Sequence, residues 1–181
     1  LIAPSCAGVN FLLTAFLMLS LSKLVRERAR PITWRFFLFA VLLAYVTTLV
    51  ANTARITLAL QFSQLSQVIP WFNAAQLHRL EGILIYFGFL LLLYVLSEKA
   101  GAAQAAKPLL RAWVPLLVYY TVMLGIPLAN PHTWFSLNFR EHAVFVLLVP
   151  LGLLLPLIAC RYFQQKRILT AACDFRIPER G

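Results

Sequence analysis

Three side chains in this 181-residue sequence, Cys6, Arg55 and His78, are of types that together could carry out acyl transfer. A cysteine supplies a thiolate nucleophile, an arginine can stabilise an oxyanion, and a histidine exchanges protons near neutral pH. Each of the three stands near one end of a long apolar segment. If those ends meet, the three groups would form one cysteine-dependent site.

Cys6 lies in a turn of small residues directly before an apolar helix, in the sequence Cys6-Ala7-Gly8. The positive end of a helix dipole favours a thiolate at such a position. Ala7 and Gly8 leave room for a peptide backbone to approach the sulfur. The alternative interpretation is a small packing residue, which is the commoner role of a single cysteine.

Arg55 lies inside the apolar run LVANTARITLAL and shares a helical face with Asn52. A charge at membrane depth costs about 2.5–3.5 kcal/mol on insertion scales, so such a residue usually pairs with another group or lines a site. The alternative interpretation is an arginine that extends to the membrane surface, since Arg55 is close to the end of its helix.

His78 opens another apolar segment, with Glu81 and Gly82 on the same helical face. An imidazole at this position could act as a general acid or base. Glu81 could orient the ring, or it could pair with Arg79 or Arg55, and pairing is slightly favoured. The alternative for His78 is a polar cap residue at the membrane surface.

The composition places these residues in a membrane protein. Hydrophobic residues make up 61% of the chain and fall in long uncharged runs, and the mean hydropathy is +0.81. The sequence therefore predicts an all-α fold: a polytopic membrane helix bundle of about five transmembrane helices, forming a single integral membrane domain over residues 1–181. The predicted helices cover about 9–24, 34–60, 74–96, 109–128 and 143–162, with a cytoplasmic basic tail at 163–181. The candidate catalytic core covers about 4–85.

The charges predict the orientation of this bundle. The chain has 16 Lys and Arg against 6 Asp and Glu. All cations except Arg55, Arg79 and Arg140 lie beside the segments that follow helices 1, 3 and 5, which the positive-inside rule assigns to the cytoplasm. Cys6, Arg55 and His78 are then expected at the opposite, outer surface. The cations do not form a basic stripe interleaved with aromatic residues, so a nucleic-acid partner is not expected. Because the sequence begins with Leu1, further helices are expected upstream.

These residues resemble the exosortase/archaeosortase family. The resemblance covers about residues 4–85 and consists of Cys-Ala-Gly before a membrane helix, Asn52-Thr-Ala-Arg55-Ile56 late in the next, and His78 followed by Gly82 opening a third. Many members have a basic residue just after the Cys-Gly turn, where this chain has Val9-Asn10-Phe11, and most have more helices. The smaller helix number is similar to the compact type called exosortase K.

The resemblance implies a polytopic cysteine transpeptidase of a bacterial or archaeal cytoplasmic (inner) membrane that needs no cofactor or metal. Its implied partners are membrane-anchored proteins with a C-terminal sorting tail: a motif such as Pro-Glu-Pro (PEP-CTERM-like), an apolar helix and a basic end. Cys6 is then the nucleophile, Arg55 the cation of the transition state and His78 the third catalytic residue. Asn52, Glu81, Gly8 and Gly82 are candidate supporting residues.

Two other function classes stay open. Helices interrupted by proline and glycine, as at Pro115, Gly125 and Pro150, suit a transporter subunit or a non-enzymatic assembly factor. His78, His132 and His142 could instead bind haem or a metal, although their spacing matches no ligand motif. A serine-type protease is disfavoured because no Gly-x-Ser-x-Gly is present. The sequence leaves the substrate motif, the acceptor and the role of the segment 140–142 undetermined.

Overall fold

A computed structural model describes residues 8–26, 33–62, 74–101, 113–129 and 136–174 of the chain. Within these ranges almost all of the residues are helical and none forms a strand. The helices are α1 (Val9–Arg26), α2 (Trp34–Phe62), α3 (Ala74–Gly101), α4 (Trp113–Leu128) and α5 (Leu137–Asp174). The predicted fold class, an all-α membrane helix bundle, is confirmed. Cys6 and His132 lie outside the described residues.

Four of these helices, α1, α2, α3 and α5, are long and apolar enough to cross a membrane, judged by length and composition. The fifth, α4, is shorter and contains a π-helical turn at Thr121–Gly125. A π turn changes the helical register by inserting one residue per turn. It comes just before Pro127, whose missing N–H also limits regular helical bonding.

Two helices extend further than hydropathy predicts. Helix α3 continues to Gly101, five residues past the predicted end, and α5 runs over Leu137–Asp174 instead of 143–162. The chain from 163 to 174 contains neither proline nor glycine, so nothing stops the helix where the apolar run ends. Most of the predicted basic tail is therefore helical.

The core lies between α1, α3 and α4. Helix α1 contributes Phe11, Ala15 and Met18, which follow one helical stripe and are fully buried. They pack with fully or almost fully buried side chains of the other two helices, namely Phe87, Leu90, Tyr94, Val114, Val118 and Tyr119. Helix α3 contacts all four other helices, and α1 contacts α2, α3 and α4, so these two helices lie at the centre of the bundle.

Helix α2 packs through small side chains and exposes large ones. Its buried residues are Ala40, Ala44, Thr48 and Ala51, on one stripe of the helix. Small residues let membrane helices approach closely. The resulting van der Waals packing stabilises the helix pair, because burial of apolar surface gives no driving force in lipid. Its other faces expose large apolar side chains such as Leu38, Leu42 and Leu49, as expected of a helix surrounded by lipid.

Helices α1, α2 and α3 alternate in direction, so the bundle has two distinct polar ends. At one end, the start of α1, the last turns of α2 and the start of α3 bring Gly8, Arg55 and His78 together, and we call it the His78 end. At the other end, the Ser22 hydroxyl donates to Glu98 Oε1 over 2.8 Å, and Arg26 Nη1 donates to the Ser97 carbonyl over 3.2 Å. The two ends fix α1 against its neighbours.

Candidate functional site

Arg55 and His78 are in direct contact at the His78 end. Arg55 Nη2 lies 3.2 Å from His78 Nε2. A guanidinium carries only donors, so Nε2 must be the acceptor in this hydrogen bond. The ring is therefore neutral in this arrangement, with its proton on Nδ1. A neutral imidazole beside a fixed cation is a general base next to a group that can stabilise an anion.

Glu81 lies on the other side of the His78 ring. Its Oε2 is 3.9 Å from His78 Nδ1, within ion-pair range but too far for a hydrogen bond. The Glu81 side chain is 9% exposed, and its Oε1 makes no hydrogen bond within the part of the chain that the structure describes. Arg79, one of the two arginines considered as partners of Glu81, pairs with Glu141 over 3.3 Å. Glu81 thus lies close to the His78 ring without a hydrogen bond to it.

Asn52 is connected to Arg55 through Tyr86, a residue of α3. The Tyr86 hydroxyl donates to Asn52 Oδ1 over 2.6 Å and accepts from Arg55 Nη1 over 3.1 Å. The single phenolic proton is thus committed to Asn52, and an oxygen lone pair faces the guanidinium. These two hydrogen bonds hold one arm of Arg55, while its other arm reaches His78.

The Tyr86 ring is also fixed, from α1 and α2. Phe11 stacks on it with ring centroids 5.0 Å apart and an interplanar angle of 21°, and Arg55 Cζ lies 5.3 Å from its centroid. An aromatic pair contributes about 0.5–1.5 kcal/mol beyond its buried area, and a cation over a ring contributes about 0.5–2 kcal/mol. Tyr86 therefore contacts side chains of both other helices that form this end.

Tyr86 is absent from the residues that the sequence singles out. One signal points to it: Asn52, an amide within an apolar helix, needs a polar partner from a neighbouring helix. Asn52 lies ten residues before the end of α2, and Tyr86 lies twelve residues after the start of α3. In antiparallel neighbours these positions have similar depth, so Tyr86 was the polar side chain of α3 available at that level.

The two candidate glycines lie where a side chain would collide with the site. A Cβ at Gly82 would be 3.2 Å from Arg55 Nε and 3.3 Å from Arg55 Cζ, which is tighter than ordinary van der Waals contact. Gly8 has a φ of +68°, and a Cβ there would run into the Asn52 amide. The absence of a side chain at these positions lets Arg55 lie against α3 and lets the start of α1 lie against α2.

The structure thus brings Asn52, Arg55, His78 and Glu81 together with the backbones of Gly8 and Gly82. The proposed nucleophile, Cys6, lies outside the described residues. Cys160 is exposed and lies 23 residues beyond the start of α5, which corresponds to about 35 Å of helix. Because the start of α5 is tied to the His78 end by the Arg79–Glu141 pair, Cys160 is remote from Arg55 and His78.

The segment 140–142 contacts the His78 end through Glu141. The carboxylate of Glu141 pairs with Arg79, which lies next to His78 in the sequence, so Glu141 is on the rim of this end. Within the described ranges, no group of three or more His, Cys, Asp or Glu side chains could hold a metal ion. His132, one of the three candidate haem or metal ligands, lies outside those ranges.

Comparisons with other proteins give no relative from which a function could be transferred. No family model matches the sequence, and searches of curated proteins and of solved structures found no match. What this site does has to be inferred from its own residues.

Proposed function

We propose that the chain is a membrane cysteine endopeptidase or transpeptidase of the exosortase/archaeosortase type. Its substrates would be exported proteins anchored in the membrane by a C-terminal sorting tail. The observation that carries this proposal is the contact between Arg55 and His78, which puts a cation and a neutral imidazole 3.2 Å apart at one end of a membrane bundle. Acyl transfer by a thiol requires those two groups beside the nucleophile.

The position of Gly8 supports Cys6 as that nucleophile. Gly8 lies against Asn52, which is connected through Tyr86 to Arg55. Cys6 precedes Gly8 by two residues in the chain, and two residues of polypeptide span at most about 7 Å. Cys160, which is a free cysteine, is remote from this end.

The proposed reaction begins when His78 Nε2 accepts the thiol proton of Cys6. The sulfur attacks the scissile carbonyl, and the new S–C bond gives a tetrahedral oxyanion that the Arg55 guanidinium stabilises. The C–N bond then breaks as His78 returns the proton to the leaving amine, and the tail helix departs. An acceptor nucleophile or water resolves the thioester. One oxyanion donor contributes about 2.7–4 kcal/mol to such a reaction.

Arg55 has to change partners during this cycle. In the resting arrangement its Nη2 occupies His78 Nε2, the nitrogen that must handle the proton. Nη2 has to leave Nε2 before the thiol proton is transferred, and it is then available to the oxyanion that the attack of the sulfur creates. Nη1 keeps its hydrogen bond to Tyr86 throughout, so the guanidinium turns about a fixed point.

A shallow apolar groove on α3 supports a location for the substrate tail. Five residues of this helix line it: Leu84, Ile85, Gly88, Phe89 and Leu92. The groove has a volume of about 260 Å³ and begins two residues after Gly82. Because Glu81, Ile85, Gly88 and Leu92 follow one helical stripe, a tail helix in this groove would lead to the His78 ring. The distribution of Lys and Arg supports an orientation with the His78 end outside the cytoplasm.

The test replaces each proposed group in the cell that encodes the chain and measures the C-terminal tails of its membrane proteins by mass spectrometry. Cys6→Ala, Arg55→Gln and His78→Gln should each leave the protein inserted while uncleaved precursors accumulate. Matched controls are Cys160→Ala, the remote thiol, and Arg79→Gln, an arginine at the same end that pairs with Glu141. Normal tail processing by Cys6→Ala would refute the proposal, as would equal accumulation in the Arg79→Gln control.

A further inference from the structure

The geometry points to Tyr86 as the positioning residue of this site: its hydroxyl holds the Arg55 guanidinium in place, and its ring ties that guanidinium to α1. The inference rests on the proposed function for its consequence in catalysis, whereas the positional claim stands on contacts alone. Tyr86 is 8% exposed, and it contacts α1 through Phe11 and α2 through Asn52 and Arg55.

The direction of the hydrogen bonds makes this assignment specific. A phenol has one proton, and at 2.6 Å that proton is given to Asn52 Oδ1. The oxygen then presents a lone pair to Arg55 Nη1 at 3.1 Å. Asn52 therefore acts on Arg55 through Tyr86, by fixing which way the hydroxyl points.

The ring adds a connection that a hydroxyl alone would not give. Phe11 is fully buried and stacks on Tyr86, and it belongs to the first turn of α1, the helix that follows Cys6 in the chain. The same ring lies under the Arg55 guanidinium. Because Tyr86 contacts both Phe11 of α1 and Arg55 of α2, a shift of α1 relative to α2 would disturb these contacts. Tyr86 therefore fixes the position of the Arg55 guanidinium relative to α1, the helix that follows Cys6.

The positional claim is tested on the full chain in lipid nanodiscs with ¹⁵N-labelled arginine. The Arg55 Nε–Hε signal is assigned by its loss in Arg55→Lys, and its heteronuclear NOE reports how rigidly the guanidinium is held. Tyr86→Phe keeps the ring and removes the hydroxyl, so the NOE of Arg55 should fall towards that of an exposed arginine such as Arg140. The matched control is Tyr120→Phe, which removes a 2.7 Å hydroxyl hydrogen bond to the Leu147 carbonyl.

The relay through Asn52 gives a second, independent variant. Asn52→Leu removes the acceptor of the hydroxyl proton and should loosen Arg55 as Tyr86→Phe does. The double variant should be no looser than either single one, because both break the same connection. An unchanged Arg55 NOE in Tyr86→Phe, or additive effects of the two changes, would overturn the inference.

The catalytic consequence is measured on a precursor that accumulates in Cys6→Ala cells. Tyr86→Phe should lower kcat about 10- to 100-fold, the range expected for loss of one hydrogen bond to a charged group, with KM changed less than about 2-fold. Tyr120→Phe should retain both constants. If Cys6→Ala causes no accumulation, the proposed function fails while the NOE still decides the role of Tyr86. If Cys6→Ala blocks cleavage but Tyr86→Phe cleaves at the normal rate, the positioning role is refuted and the proposed function stands.

Discussion

Replacing Gly82 by alanine should weaken the site without weakening the helix that carries it. Gly82 is in the third turn of α3, where alanine is the better helix former by about 1 kcal/mol as measured in water. Against this gain, the added methyl group would lie 3.2 Å from Arg55 Nε, 3.3 Å from Cζ and 3.5 Å from Nη2. The guanidinium must therefore move by a few tenths of an ångström.

The expected loss of cleavage rate follows from the change in the distance between Arg55 and His78. Arg55 Nη2 is 3.2 Å from His78 Nε2, already at the long end of the hydrogen-bond range, so a further shift weakens the contact. Displacing a catalytic group by 1 Å can cost about 100-fold in rate, so a shift of a few tenths corresponds to about 3- to 10-fold. We expect Gly82→Ala to lower the rate of tail cleavage by that factor.

The assay compares Gly82→Ala with Gly152→Ala, which changes the same residue type within helix α5, outside the proposed substrate groove. A Cβ at Gly152 has no neighbour within 4 Å, so this control has the propensity gain without the contact. Cleavage is followed by pulse–chase labelling of a precursor, and stability by SDS-induced unfolding in micelles. Gly82→Ala should cleave the precursor slowly while being at least as stable as the unmodified chain, and Gly152→Ala should cleave at the normal rate. Equal cleavage rates for the two variants would refute the close approach of Arg55 to α3.

Three further predictions test the framework that holds the site. Gly8→Ala should abolish cleavage, because the left-handed backbone costs a side chain about 1–2 kcal/mol and the new Cβ would displace Asn52; wild-type cleavage rates would contradict this. Glu98→Ala should destabilise the bundle by about 3–5 kcal/mol in SDS unfolding, because it leaves Arg26 without its buried carboxylate, whereas Lys99→Ala, an exposed neighbour, should have little effect. Ala44→Leu should cost about 1–3 kcal/mol by overfilling the packed stripe of α2, and Val46→Leu on the exposed face should be tolerated; equal unfolding of the two would show that α2 does not pack through its small residues.

The fold was predictable because the bilayer imposes it. An apolar run of about 20 residues in lipid has to satisfy its backbone internally, which leaves a helix as the solution for an unbroken segment. The predicted starts of α1, α2 and α3 coincide with the observed ones for this reason. The ends of α3 and α5 were missed because hydropathy marks the span of the membrane, whereas a helix continues until a breaker stops it.

The site was predictable to the level of helix ends and no further. The positive-inside rule and the alternating directions of consecutive helices predict that Arg55 and His78 lie at one membrane surface. The helical period of 3.6 residues adds which side chains share a face of one helix, but not which residues of two helices meet. Which residue of α3 meets Asn52 depends on the relative height of α2 and α3, which the packing of the small-residue stripe of α2 determines. Tyr86 was therefore missed, although its neighbours Asn52 and Gly82 were identified.

The central claim is that Cys6 attacks the substrate, and the most direct measurement is the mass of the covalent intermediate on this residue. A precursor is incubated with the full, unmodified chain, the reaction is quenched with acid during turnover, and the protein is digested and analysed by mass spectrometry with and without hydroxylamine. We predict an adduct on Cys6 that equals the substrate up to its cleavage point and is released by hydroxylamine, as a thioester would be. Cleavage of the precursor by the unmodified chain, with no such adduct on Cys6 and with cleavage retained in Cys6→Ala, would contradict the account.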